Sequence, residues 1–249
     1  MIKHAVLSAI RGLGYDLVLF NNTESERQHL EIYERVRPYL LSSYERTYAL
    51  IDATRYIVRN DIPGAFVECG VFKGGSMMAV ALALMAEGFT DRDLYLFDTF
   101  AGMPAPEARD VDFRGRPASG AFAKHRISDV SSHLMHCSRE NVAAARAATG
   151  YPAARIHLIQ GMVEDTIPAQ APTTIALLRL DTDWYRSTMH ELVHLHPRLS
   201  RKGVAIVDDY GHFKGARDAT DEYFRQRGLS PLLQRIDYTA RMFLKQDGE

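Results

Sequence analysis

The stretch AFVECGVFKGGS, Ala65–Ser76, limits the possible folds more than any other part of the chain. Ala65 to Cys69 reads as a short buried strand, three glycines (Gly70, Gly74 and Gly75) follow within six positions, and MMAVALALMAEG continues as an apolar helix to Gly88. Strand, glycine turn and helix in that order make a binding turn. The glycines let the backbone approach a ligand closely, and the helix start offers unpaired N–H groups and a partial positive charge.

From Ala65 onward strand-like and helix-like segments alternate. Strands are predicted at 65–69, 94–98, 155–159, 174–180 and 203–208, with helices at about 75–87, 138–148, 187–199 and 215–227. Such alternation gives a mostly parallel sheet with helices on both faces. The tail breaks the rhythm, because PLLQRID and ARMFLK are separated by a short turn and read as an antiparallel hairpin. Five alternating strands closed by a hairpin is the plan of an α/β class I methyltransferase, Rossmann-like with a seven-stranded sheet. A dinucleotide-binding dehydrogenase is disfavoured: the G-x-G-x-x-G fingerprint is absent, and Gly-x-x-x-Gly-Gly suits a ligand without a pyrophosphate, such as S-adenosyl-L-methionine.

The chain reads as a single domain over 1–249, with a core at 63–249 behind an N-terminal helical cap at 1–62. In the cap, RQHLEIYERVRPYL is interrupted at Pro38, and SSYERTYALIDATRYIVRND is N-capped by Ser43. Tyr48, Ile51, Ala53, Tyr56 and Ile57 line one apolar face of the second helix. This region either covers the sheet or closes as a lid, and both readings stay open. The segment 101–132 holds Gly102, Pro104, Pro106, Gly115, Pro117 and Gly120 among charges. It reads as a long loop and a second candidate lid.

Composition excludes several classes of partner. The 249 residues are 46% hydrophobic and 24% charged, and the formal net charge of −1 argues against a nucleic-acid binder. No apolar run approaches the ~18 residues of a membrane span, and MIKHAVLSAIRGLG is too short and interrupted for a signal peptide. Cys69 and Cys137 do not make a disulfide framework, so a cytoplasmic protein is expected.

Ligands in open α/β sheets bind beyond the carboxyl ends of the strands. The first predicted strand ends in Glu68-Cys69-Gly70, the second at Asp98, the fourth at Asp181 and the fifth at Asp208-Asp209. Asp98, 28 positions after Gly70, can accept hydrogen bonds from ribose hydroxyls or can cap the next segment. Asp181, Asp208 and Asp209 should converge. Three packed carboxylates repel unless a cation intervenes, and oxygen-only ligation points to a hard divalent ion, most simply Mg²⁺. Helix capping explains them poorly, since a cap needs one Asp and not an adjacent pair. Asp183 can serve as a base towards the same substrate, and Trp184, Tyr185, Tyr210 and His212 can wall an acceptor pocket.

A rival motif is His190-Glu191-Leu192-Val193-His194, which matches the zinc signature H-E-x-x-H. It falls inside the helix between the fourth and fifth strands, away from the ligand-binding edge. Met189, Leu192, Val193 and Leu199 are expected to give that helix its core face, leaving the histidines on the solvent flank.

With ECGVFKGGS, LYLFDTFAGMP, GMVEDTIP, LRLDTDWYRST and VAIVDDYGHFKG in place, the chain resembles the macrocin O-methyltransferase (TylF-type) family. Phe72 and Leu40-Leu41 depart from the family pattern. The resemblance implies methylation of a sugar hydroxyl on a glycosylated natural product, with S-adenosylmethionine and Mg²⁺. It implies metal ligation by Asp181, Asp208 and Asp209, a general base at Asp183 and a ribose carboxylate at Asp98. Cofactor contacts are expected along Glu68, Gly70, Val71, Gly74, Gly75, Ser76 and Thr99, with the adenine near Gly161, Met162 and Val163. The acceptor is a small molecule with a hydroxyl or diol, and a homodimer is expected. Two alternatives remain: methylation of a phenol or catechol, and an inactive ligand-binding relative, against which the complete aspartate set argues.

Overall fold

The computed structural model describes residues 24–246 and position 6. Apart from position 6, MIKHAVLSAIRGLG and the rest of the expected cap before residue 24 lie outside the described residues. The chain forms two compact units, residues 1–31 and 32–249, and α1 (Glu24–Val36) crosses their boundary.

A 3₁₀ turn at Arg37–Tyr39, carrying Pro38, ends α1, and α2 (Tyr44–Arg59) follows. Ser43 caps α2 as predicted, its hydroxyl accepting from Arg46 N at 3.1 Å. The core then runs β1 (Ala65–Cys69), α3 (Gly75–Ala86) and β2 (Leu94–Asp98). The segment after β2 is more ordered than a plain loop. It contains α4 (Ser119–His125) and a small antiparallel pair, β3 (Arg126–Ser128) and β4 (Ser131–Ser132). Next come α5 (Arg139–Ala147), β5 (Ile156–Gln160), α6 (Val163–Thr166), β6 (Ile175–Leu180) and α7 (Tyr185–Leu195). The chain continues as β7 (Leu199–Val207), α8 (Lys214–Arg227), β8 (Gln234–Arg235) and β9 (Arg241–Leu244). Helix α7 is shorter than predicted and β7 begins earlier, because Pro197 stops the helix in a 3₁₀ turn.

Strand order in the main sheet is β5-β2-β1-β6-β7-β9-β8, parallel except for β9, which runs antiparallel to both its neighbours. This is the class I methyltransferase sheet. Alternate residues sort onto two cores. Phe66, Leu94, Leu96, Leu177, Val204 and Ile206 pack with α2 and α3. Val67, Cys69, Phe97, Leu178, Ala205 and Val207 pack with α7 and α8. Helix α3 is apolar all round because it is enclosed between the sheet and α2.

Two close approaches fix where the cleft opens. Gly70 has φ +82°, and a Cβ there would collide with the Asp181 carbonyl. A Cβ on Gly75 would lie 2.6 Å from the Tyr39 carbonyl and 2.7 Å from Leu40 Cδ2. The first closeness joins the ends of β1 and β6, and the second lays residues 39–40 over the glycine turn. Among the described residues, no helix is long and apolar enough to cross a membrane.

Behind the sheet, His196 is buried, and its Nδ1 lies 2.9 Å from the Tyr223 hydroxyl. Burial, reinforced by Lys245 and Arg227, pushes the imidazole down to about 4 from an ordinary 6.5. The folded state therefore refuses a proton that the unfolded chain accepts below about pH 6.5. This contribution is fully present above pH 6.5 and is lost as pH falls towards 4, a span worth about 3 kcal/mol at most. Urea titrations between pH 7.5 and 4.5 are expected to show a shallower fall in stability for His196→Gln than for the parent chain.

Candidate active site

The register of the sheet builds the site. Glu68 in β1 stands opposite Arg179 in β6, and Arg179 opposite Ile206 in β7. Side chains alternate, so Glu68, Arg179 and, two beyond Ile206, Asp208 share one face. The Arg179 guanidinium bonds Glu68 Oε1 at 2.7 Å, Asp181 Oδ2 at 2.7 Å and Asp208 Oδ1 at 2.6 Å. A second arginine arrives from α2: Arg46 pairs with Asp208 Oδ2 and lies 3.2 Å from Asp237 Oδ2 in the C-terminal hairpin. Ser43 Oγ donates to the same Asp237 oxygen at 2.9 Å.

These charges set the protonation of the cluster. Burial would lift the Asp208 carboxyl, but Arg179 and Arg46 outweigh it and hold Asp208 below the usual range. Asp181 goes the other way: burial and the charges of Asp208 and Asp209 raise it although it also bonds Arg179. The difference is physical, since Asp208 faces two guanidinium groups while Asp181 shares one with two other carboxylates. Burial pushes Glu68 up to about 7 against Arg179. Asp183 and Asp209 are each raised, first by burial and then by the charges of neighbouring carboxylates.

Ligand oxygens of Asp181, Asp208 and Asp209 all lie within 4.8 Å of one another. Asp209 Oδ2 is buried with no hydrogen-bond partner. An orphaned carboxylate oxygen beside two others, in a site where the acids outnumber the two arginines, fits a hard divalent cation.

The whole cleft, about 360 Å³, extends from these aspartates over the glycine turn. Its wall includes Gly70, Val71, Gly75, Ser76, Asp98 and Thr99, and beyond them Gly161, Met162 and Val163. The Asp98 carboxylate accepts from Val71 N at 2.6 Å, Phe72 N at 3.1 Å and Phe100 N at 2.7 Å. It thus clamps the glycine turn and caps its own loop, and burial still raises its pKa against those donors. Thr99 Oγ1 lies 3.5 Å from Asp98 Oδ1, so each of the carboxylate's four acceptor positions has a donor nearby.

A profile of macrocin O-methyltransferases (TylF) matches residues 24–245. The chain belongs to this family. It is 32% identical over 181 residues to demethyldecarbamoylnovobiocin O-methyltransferase of Streptomyces niveus, covering 73% of this chain and 66% of that protein. It is also 32% identical over 184 residues to 8-demethyl-8-(2,3-dimethoxy-alpha-L-rhamnosyl)-tetracenomycin-C 4'-O-methyltransferase of Streptomyces olivaceus, covering 74% and 67%. The chain therefore spans about two thirds of these relatives' length. Its fold resembles that of the O-methyltransferase NovP, with TM-score 0.72, 28% identity and coverage of 84% and 82%.

Within this family member, not every residue singled out in the sequence reaches the cleft wall. Asp181, Asp183, Asp208, Asp209 and His212 line it. Glu68 lies beneath it, bonded to Arg179, and the Gly74 turn packs against Val142. The pocket roles expected of Trp184, Tyr185 and Tyr210 need correcting. Trp184 is buried with its Nε1 donating to Pro104 O at 3.1 Å; the Tyr185 hydroxyl donates to Glu222 and the Tyr210 hydroxyl to Asp221. The wall also includes Tyr39 to Ser42, Arg46, Met135, Thr182 and Tyr238. An arginine inside the buried run LLRL was the sequence signal for Arg179, whereas nothing local marks Arg46.

The H-E-x-x-H motif does not assemble a metal site. Among the described residues, only the aspartate trio groups potential ligands. His190 Nε2 meets the Ile167 carbonyl at 3.0 Å, while Glu191 is buried and Val193, expected in the core, is 39% exposed. The core face of α7 runs through Thr188, Glu191, Leu192 and Leu195.

Removing the Arg179 guanidinium would leave buried carboxylates uncompensated. Arg179→Met is expected to cost about 3–5 kcal/mol at neutral pH, measured by urea unfolding. The deficit should shrink as pH falls and the carboxylates take up protons.

Proposed function

We propose that this chain is an S-adenosylmethionine- and Mg²⁺-dependent O-methyltransferase acting on a sugar hydroxyl of a glycosylated natural product. The observation that carries the reading is the meeting, in one cleft, of the Asp98-clamped glycine turn with an oxygen-only carboxylate group at neighbouring strand ends. The names of the relatives support the acceptor class: one acts on a novobiocin precursor and another on a rhamnosyl tetracenomycin.

Residues 70–76, Asp98, Thr99 and 161–163 would hold the cofactor, and Asp181, Asp208 and Asp209 the ion. Bound S-adenosylmethionine supplies an electrophilic methyl group, and bound Mg²⁺ supplies positive charge that eases loss of a hydroxyl proton. The chain does the rest. Asp183, on the cleft wall beside Asp209, accepts the acceptor's proton. Leu41, Met135 and Tyr238 form an exposed apolar rim on the cleft, and Phe113 packs against Tyr238 and His212 beside it. This rim suits the non-sugar part of a glycoside. Holding the reactants in line can supply roughly 7–11 kcal/mol of the barrier.

The test is turnover of labelled S-adenosylmethionine against a panel of diol-bearing glycosides, with Mg²⁺ titrated into chelator-treated protein. Asp181→Asn and Asp208→Asn are expected to raise the Mg²⁺ needed for half-maximal activity. Asp183→Asn should leave that requirement in place while turnover falls roughly 10²–10⁴-fold. Full activity after chelation would remove the metal from the proposal, and a raised Mg²⁺ requirement in Asp183→Asn would make Asp183 a ligand. Asp98→Ala separates nothing here, because it also releases the glycine turn.

A further inference from the structure

The glutamate of H-E-x-x-H has no role in zinc binding, yet it is wholly buried on the core face of α7. Its Oε1 accepts from the Thr182 hydroxyl at 2.9 Å, and its Oε2 has no hydrogen-bond partner. A half-satisfied buried carboxyl is costly, so its one bond identifies what the side chain acts on.

That bond reaches the turn carrying Asp183. The Thr182 carbonyl accepts from Trp184 N at 2.7 Å and from Ser187 Oγ at 3.4 Å. Thr182 is thus held at both its side chain and its carbonyl. Immediately after it, Asp183 adopts φ +65°, a left-handed conformation that is unfavourable for a residue other than glycine. Such a conformation persists where the flanking residues are pinned.

We infer that Glu191 is a positioning residue for Asp183: through the Thr182 hydroxyl it holds the strained turn that keeps the Asp183 carboxyl on the cleft wall. The inference rests on the reading of Asp183 as the base. It is specific to this bond, since an amide oxygen in place of the carboxyl would accept the same hydrogen, and a thioether of similar length would not. Burial and the charges of Glu164 and Asp181 raise the Glu191 pKa, which makes glutamine a close stand-in.

The chain carries a built-in reporter. Trp184 is its single tryptophan, follows Asp183 directly and is tied through Nε1 to Pro104. The experiment compares full-length Glu191→Met, Glu191→Gln and Thr182→Val with the parent chain. It reads Trp184 emission and acrylamide quenching, S-adenosylmethionine affinity by calorimetry, and turnover on any glycoside the parent methylates. Glu191→Met and Thr182→Val should loosen Trp184 and lower turnover by roughly 10²-fold, with cofactor affinity unchanged. Glu191→Gln should restore the parent's fluorescence and rate. Thr182→Val keeps the result interpretable if Glu191→Met folds poorly, because it leaves the helix core intact. Unchanged Trp184 signals in both variants, or a glutamine variant as impaired as the methionine one, would overturn the inference. Loosened Trp184 with full turnover would establish the anchoring and overturn Asp183 as the base.

Discussion

The guanidinium of Arg179, 3% exposed, joins carboxylates from the ends of three adjacent parallel strands: Glu68 of β1, Asp181 after β6 and Asp208 after β7. Ion pairs taken out of water are poor sources of net stability, because desolvation consumes much of the attraction. The value of this one lies in geometry. Bonds to Glu68, Asp181 and Asp208 keep three acidic strand ends side by side where unscreened repulsion would part them. The wall that brings Asp181, Asp208 and Asp209 within reach of one ion depends on that single side chain.

The second arginine works from outside the sheet. Arg46 rides on α2, pairs with Asp208 and Asp237, and follows the Ser43 cap that bonds Asp237 as well. The segment just before it, Tyr39 to Ser42, crosses over Gly75 and forms part of the cleft wall. The cap and the acidic floor are therefore one electrostatic unit. Whatever changes the charge at Asp208 acts on the seating of α2, and the coupling runs equally in the other direction.

Much of this was legible in the sequence because the informative patterns are local. AFVECGVFKGGS shows its strand, turn and helix directly, and Asp181, Asp208 and Asp209 stand where strand ends are easily read. Relations across the fold were hidden. Arg46 meets Asp208 over 162 positions, and no periodicity marks that pairing. Tyr185 and Tyr210 sit beside cleft residues in sequence but turn towards Glu222 and Asp221, since backbone adjacency does not fix side-chain direction. On α7, the apolar count favoured Val193 as a core residue. Glu191 lies on the core face instead, because the stripe Thr188, Leu192 and Leu195 has a helical spacing that includes position 191 and leaves out 193.

The bond from Ser43 to Asp237 spans 194 positions, and Thr239 adds another by donating to the Asp208 carbonyl at 2.8 Å. Long-range pairing of this kind is slow, because the chain between the partners must be closed before the contact repays it. A ribosome delivers α2, the glycine turn and every aspartate of the trio before it delivers the hairpin that completes their surroundings. During synthesis β7 has its outer edge unpaired, since its neighbour there is β9. The outer edge of β7 and the acidic floor of the cleft therefore take their final partners, β9, Asp237 and Thr239, from one and the same late-made segment.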